Sequence, residues 1–350
     1  MANLVYRDYE PNDAEQLCHL HQSVFGVSRA PDFWHWKYDS NPAGKDMNCV
    51  AEDTETGQLV GEAGILPVRV GVRGEPVIAT QALDILVDEQ YRHRRVFLNL
   101  YRRAWSRIVD SGAAFSFAFA VETTVRVSTK LMKFTSVAPI PRMVKPLSLI
   151  PYVPRRLAIA ARFADPLFRI ATRPPRVRVP KGAAIQPITR FGARYDLLWA
   201  RLAPTYPVAV WRDSAYLNWR YIDVPGSNCQ AFALERQGEV LGFTVLRGAT
   251  VKGRKRGRIL ELVAIDNDEA VAAALLTHAL GEFHAQGLTV ADCWVFAHHP
   301  LWRTTREFGF WPRPRRGREL IARTANGRLA ADFLTDAHNW VLSMGDSDEI

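Results

Sequence analysis

The chain has 350 residues, 48% of them apolar and 23% charged, with a formal net charge of +9. That length exceeds what one hydrophobic core ordinarily fills, so two domains are expected, and the composition excludes a disordered, collagen-like or disulfide-stapled chain. Cys18, Cys49, Cys229 and Cys293 form none of the close pairs of a zinc site or redox dithiol, and no stretch approaches the roughly 18 apolar residues of a membrane span, so a cytoplasmic protein is expected.

In chain order, the first distinctive feature is Phe33-Trp34-His35-Trp36-Lys37-Tyr38, with Pro42 four residues on. A hairpin follows, with strands over Cys49 to Glu52 and Leu59 to Ile65 about a turn at Thr56-Gly57. Ala82 to Val87 reads as a strand, and the helix after it recurs in apolar residues at Phe97, Leu100, Tyr101, Ala104, Trp105 and Ile108. Phe115 to Val121 is a strongly apolar strand and Thr124 to Phe134 a short helix.

The charge excess is local. Between Arg142 and Gly182 stand Arg142, Lys145, Arg155, Arg156, Arg162, Arg169, Arg173, Arg176, Arg178 and Lys181 against one anion, Asp165, which accounts for the whole imbalance. Prolines at 146, 151, 154, 166, 174, 175 and 180 argue against a long helix and mark a linker. Within it, Arg156 to Phe163 fits a short basic amphipathic turn that touches anionic lipid or an acidic partner; a solvated linker packed on both domains is the alternative.

The same series then recurs. Tyr216-Leu217-Asn218-Trp219-Arg220-Tyr221 stands 183 positions after the first aromatic motif, with Pro225 four residues on. A hairpin (Cys229 to Glu235, Val240 to Leu246), a strand (Leu260 to Ile265), a helix with Ala272, Leu275, Leu276, Ala279, Leu280 and Phe283 on one face, and a strand (Cys293 to Ala297) follow. Trp340 to Met344 reads as one more strand before an acidic, solvated tail. Order, type and spacing together indicate a tandem duplication, with domains at 1–145 and 183–350 joined by the linker 146–182. Each is of mixed α/β (α+β) type, and its strand-helix-strand centre should place two strands parallel.

Between the central strand and long helix of the first copy stands Asp88-Glu89-Gln90-Tyr91-Arg92-His93-Arg94-Arg95-Val96-Phe97. Cations there oppose the helix dipole, which points either to a bound anion or to a solvated basic loop. This strand, loop, helix and next strand resemble the core of the GNAT superfamily of N-acetyltransferases, and the two copies together resemble its tandem-domain members. The resemblance implies two domains, each a mixed, mostly antiparallel sheet flanked by helices. It further implies that the amides of an Arg/Gln-x-x-Gly-x-Gly/Ala loop hold the diphosphate of an acyl-CoA co-substrate, acetyl-CoA first among them. Here Arg92 takes the first position, Arg95 that of the middle glycine and Phe97 the last. The implied cofactor-binding set is Leu86, Val87, Arg92, His93, Arg94, Arg95, Val96 and Phe97, with no metal. The matching stretch of the second copy, Asp266-Asn267-Asp268-Glu269-Ala270, is acidic and should repel a diphosphate, so that domain either shapes the acceptor site or is structural.

The activity implied is acyl transfer to an amine of a small molecule, amino sugar or peptide. The thioester would lie between the splayed central strands, with the backbone N–H near Val87 facing its carbonyl. Asp84 and Glu122 are the carboxylates nearest to accept the amine's proton, Asp84 being alternatively an ion-paired residue, and Ser128 is the acid that the short helix offers toward the leaving thiolate. The other reading is a catalytically silent tandem module that binds an acidic partner or a membrane surface. Nucleic-acid binding is not expected, because no module signature accompanies the basic residues.

Overall fold

The computed structural model describes residues 3–26, 28–44, 47–175, 177–251, 253–313 and 317–348. The N-terminal half runs β1 (Leu4–Asp8), α1 (Ala14–Phe25), α2 (Pro31–Trp34), β2 (Cys49–Asp53), β3 (Gln58–Val72) and β4 (Glu75–Val87). It continues through α3 (Val96–Asp110), β5 (Phe115–Val121), α4 (Glu122–Lys130), β6 (Thr135–Pro139) and β7 (Arg142–Pro146). After α5 (Ala158–Ala171) come β8 (Ala183–Ile188), α6 (Ala193–Leu202), β9 (Val208–Val210), α7 (Ser214–Leu217), β10 (Cys229–Arg236), β11 (Glu239–Val251) and β12 (Arg254–Ala264). The C-terminal half closes with α8 (Glu269–Ala285), β13 (Val290–Trp294), α9 (Trp302–Glu307), β14 (Trp311–Pro312), β15 (Arg318–Thr324), α10 (Ala331–Thr335) and β16 (Trp340–Val341).

These strands form two mixed sheets flanked by helices. One runs β1-β2-β3-β4-β5-β15-β6, with β9 added to β3 and β16 to β9; the other runs β14-β7-β13-β12-β11-β10-β8. Along the main path of each, one adjacent pair is parallel, β4 with β5 and β12 with β13, as a strand-helix-strand connection requires, and β16 is also parallel to β9. Each parallel pair is short. β4 and β5 meet only at Thr80–Ser116 and Gln81–Phe117, and β12 and β13 only from Arg256–Val290 to Arg258–Asp292; beyond these points the strands diverge.

The halves also trade strands. β7 leaves the N-terminal sheet and inserts between β13 and β14, while β15 leaves the C-terminal sheet and inserts between β5 and β6. Arg142 on β7 fastens one crossing, its Nε donating to the buried Asp292 of β13 at 2.9 Å, with Arg256 adding a contact at 3.2 Å. One apolar cluster draws Phe115, Phe117 and Phe119 from β5, Trp294 from β13 and Trp340 from β16 into a common core. At the junction Trp36 and Trp219 stack with centroids 5.1 Å apart, and each indole N–H donates to the other's backbone carbonyl at 2.7 and 2.8 Å.

Helix α3 lies on β3 where Gly61 stands. A Cβ there would come within 2.9 Å of Leu100 and 3.2 Å of Val96, so glycine sets that close approach. The apolar face expected for α3 is the one that packs, with Leu100, Tyr101, Ala104 and Ile108 buried.

Two expectations need correction. The proline-rich linker contains a 14-residue helix, α5, which Pro154 precedes and Pro174-Pro175 follow; proline suits the flanks of a helix, and only Pro166 lies inside it. The tail is not solvated as far as Ser347. After β16 the chain makes a turn at Met344–Asp346, and Gly345, Asp346 and Ser347 are buried between the halves.

Candidate active site

Where β4 begins to diverge from β5 it carries a β-bulge, with Asp84 and Ile85 opposing Ala63 of β3. Asp84 has φ +47°, a left-handed conformation that turns its side chain off the normal alternation. The Lys37 ammonium contacts its Oδ2, and the Tyr38 hydroxyl lies 3.1 Å from the same oxygen. Tyr38 is also 3.0 Å from Oε1 of Glu62, whose Oε2 is 2.6 Å from His21 Nε2. Gly64 makes room for this array, since a Cβ there would fall 2.9 Å from the Tyr38 hydroxyl and 3.1 Å from Asp84 Cβ.

Lys37, Asp84, Tyr38, Glu62 and His21 thus form one continuous chain of polar contacts. Tyr38 has a single proton to share between two carboxylates, so the array holds fewer protons than acceptors unless Glu62 or His21 carries one. Burial pushes the Glu62 carboxyl up, against the opposing pull of His21. Burial acts on Asp84 in the same sense, but the charges of Lys37 and His21 and the hydrogen bonds from Lys37 and Tyr38 outweigh it and hold that carboxyl below its ordinary value. Glu62 is fully enclosed, whereas the Asp84 side chain keeps 16% of its surface open, so Asp84 is the member nearest to solvent.

The loop after β4 forms a tight turn over Glu89–Arg94 and passes through Arg95 at φ +57° into α3. Asp88 caps the turn by accepting from the Gln90 amide at 2.9 Å, and Tyr91 is held by Asp53 at 2.6 Å. Among the described residues no side chain caps α3 itself. Leu86, Val87 and Val96 are buried, Phe97 is half-buried, and Arg92 and Arg95 are exposed; the side chains of His93 and Arg94 lie outside the described residues. Asp88 N–H bonds to Val60 of β3 at 2.9 Å, and residues alternate along an antiparallel ladder, so the N–H of Val87 faces away from β3 toward the opening beside β5. The Val87 carbonyl accepts from Arg92 Nε at 3.3 Å.

The other two expected catalytic residues stand apart. Glu122 is exposed in the first turn of α4 and Ser128 is buried on its inner side, and among the described residues no contact joins either to Asp84. Glu62 and His21 were not singled out from the sequence, which drew attention to Lys37 and Tyr38 only as members of the repeated aromatic motif. Tyr38 and Tyr221 share a place in the repeated motif, and each reaches a carboxylate on the central strand of its own half, Tyr221 donating to Glu261 at 2.6 Å. Glu62 carried a signal of its own, as a lone carboxylate in the apolar run Leu59 to Leu66.

The C-terminal half differs at both corresponding places. Asp268 caps α8, accepting from the Val271 amide at 2.9 Å, and Arg201 pairs with Asp266 just before it. Between the diverging β12 and β13 lies a cavity bordered by Trp199, Tyr206, Arg212, Glu261, His299 and Ser343. Arg212 is buried and holds Glu261 at 2.9 Å and Asp346 at 2.8 Å, and these charges, against the cost of burial, keep its guanidinium firmly protonated.

His299, on the same cavity, accepts the Leu301 amide at Nδ1 at 3.0 Å, which requires that nitrogen to be unprotonated. Burial first, then His298 and Arg212, push the ring down to about 4. An unfolded histidine titrates near 6.5, so this contribution to stability is complete above that pH and is lost as the pH falls toward 4. It amounts to up to about 3 kcal/mol, less whatever share solvent screens. The Asp346 carboxyl, raised by burial to about 6, acts in the opposite sense but is common to parent and variant. His299→Asn keeps an acceptor that does not titrate, so its stability in urea should fall less than the parent's between about pH 7 and 4.5; parallel curves would refute a depressed His299.

Residues 5–127 match the acetyltransferase (GNAT) domain family. Solved structures of that fold superpose on nearly the whole chain. A GCN5-related N-acetyltransferase from Anabaena variabilis matches with TM-score 0.66 at 11% identity, covering 93% of this chain and 73% of that one. N-myristoyltransferase from Saccharomyces cerevisiae, with bound myristoyl-CoA, matches with TM-score 0.63 at 13% identity, covering 97% and 83%. A probable N-acyltransferase from Enterococcus faecalis gives 0.63 at 10% identity, covering 92% and 73%. No curated protein matches the chain. The fold is therefore that of GNAT acyltransferases, and acyl transfer is the general chemistry it supports.

Proposed function

We propose that the protein is an acyl-CoA-dependent N-acyltransferase, with acetyl-CoA as the donor and an amine of a small molecule, amino sugar or peptide as the acceptor. We infer also that it arose by tandem duplication, with domains at 1–145 and 183–350. The observation that carries the reading is the contrast between two helix starts. α3 is uncapped behind a basic loop, while α8 has an amide engaged by Asp268 and is ringed by anions. Free first-turn amides beside Arg92 and Arg95 suit a diphosphate. Arg95 already has the left-handed backbone that a glycine would adopt, and its side chain is exposed, so its bulk need not close the loop.

An acyl-CoA bound there would supply an activated carbonyl in the opening between β4 and β5. The Val87 N–H, turned toward that opening, is a donor for an oxygen that gains charge. Asp84 receives the acceptor amine's proton, Tyr38 takes that proton as it passes its own to Glu62, and the raised proton affinity of Glu62 makes it the store. The C-terminal cavity and the buried tail are assigned to shaping the acceptor side.

Thermal unfolding tests the donor. Acetyl-CoA at about 100 times its dissociation constant should stabilise the chain by about 2.7 kcal/mol, and Arg92→Glu with Arg95→Glu should abolish the shift without altering the ligand-free stability. A shift that survives both changes would place the donor elsewhere. No shift with acetyl-CoA or longer acyl-CoAs would leave the silent binding module.

A further inference from the structure

Helix α5 takes no part in the proposed chemistry, and its two faces are unlike. On the inner face Asp165 is buried and accepts from Ser148 Oγ at 2.7 Å, from the Leu149 amide at 2.6 Å and from Arg169 Nε at 2.8 Å. The one anion between Arg142 and Gly182 is thus used up in anchoring the helix. On the outer face Ile159, Phe163, Leu167 and Ile170 are 74%, 80%, 72% and 59% exposed. At 100° per residue these four fall within an arc of about 80°, a continuous stripe of large apolar side chains on successive turns. Leu157, just before the helix, is 49% exposed.

The surroundings are cationic. Arg156, Arg162, Arg173, Arg178 and Lys181 are exposed, while Arg142 and Arg169 are paired with Asp292 and Asp165 and Lys145 is buried with its ammonium on the Phe308 carbonyl. The side chains of Arg155 and Arg176 lie outside the described residues. A linker that merely spans two domains has no need of an apolar stripe turned outward. A narrow stripe on the crest of a helix, in a segment whose exposed charges are cationic and whose one carboxylate is buried, matches a surface that is apolar beneath an anionic layer. A second copy of the chain would bring like charges together.

We propose that α5 docks the protein on an anionic lipid bilayer, with Ile159, Phe163, Leu167 and Ile170 entering the boundary of the acyl region and the exposed arginines on the phosphates. The other segments of the chain need not enter, since among the described residues no helix is long and apolar enough to cross a membrane.

Flotation of the full chain with vesicles tests this. The protein should float with phosphatidylcholine vesicles that contain phosphatidylglycerol, not with phosphatidylcholine alone, and should detach as salt rises. Phe163→Ser with Leu167→Ser, and separately Arg156→Glu with Arg162→Glu, should each reduce the bound fraction about tenfold or more, and both pairs are exposed, so thermal stability should be unchanged. Ile159→Trp should show an emission blue shift on the anionic vesicles. Failure of the parent to float, or flotation that the serine variant retains, overturns the proposal. Concentration-dependent self-association that the serine variant abolishes, without flotation, would assign the stripe to a second copy and overturn it equally. Binding only to an acidic protein, with no vesicle binding, has the same consequence.

Discussion

Asp84→Asn should lower acyl transfer, followed as free thiol released, by about 10²- to 10⁴-fold, the range for loss of a positioned proton acceptor. Asparagine keeps the size and the hydrogen bond from Lys37 but cannot take a proton, so the CoA-induced stabilisation should remain while turnover falls. The array makes the loss specific. Asp84 is its solvent-facing carboxylate, and Tyr38 and Glu62 behind it have no other described route to the opening between β4 and β5. Glu122→Gln, on an exposed turn without a contact to the array, should leave the rate near the parent's. Full activity in Asp84→Asn would remove Asp84 from the reaction and return Glu122 to first place.

Arg212→Met should cost about 3 to 5 kcal/mol of stability in urea at pH 7, the usual consequence of leaving a buried charge without its partner. The guanidinium donates to Glu261, Asp346, the Val210 carbonyl at 2.7 Å and Ser343 at 3.0 Å, and none of these acceptors has water in abundance. Without it two carboxylates face each other in the interior. Burial raises the Asp346 carboxyl to about 6 in the parent against the downward pull of Arg212, so without Arg212 that carboxyl rises further. The deficit should therefore be greatest at high pH and level off below about pH 6, and Arg212→Met combined with Glu261→Gln and Asp346→Asn should recover most of it. A loss below about 1 kcal/mol, the size typical of exposed pairs, would show that the cluster is hydrated.

The central strands and the long helices were legible because they are local. Apolar residues at helical spacing from Val96 to Ile108, and strongly apolar runs such as Phe115 to Ala120, state their own conformation and burial. The exchange of β7 and β15 was not legible, since a five-residue strand such as Arg142–Pro146 has the same alternation whichever sheet it completes, and its partner Asp292 lies 150 residues away. Prolines hid α5, because their usual weight as breakers applies inside a helix and three of them stand at its borders. The site was half legible. Resemblance pointed to Asp84, but Lys37 and Tyr38 sit among tryptophans and read as core, and nothing local announces that His21 and Glu62 meet across 41 residues.

The traded strands set when the molecule can become whole. As the chain leaves the ribosome, the slot beside β5 stays vacant until residue 324 has emerged, because its occupant lies far downstream in the other half of the sequence. The opening half must therefore wait, incomplete and with a raw hydrogen-bonding edge, until most of the second half has been made. Maturation of the first half is tied to synthesis of the second, and a stop before Arg318 would disable the front of the protein as surely as the back.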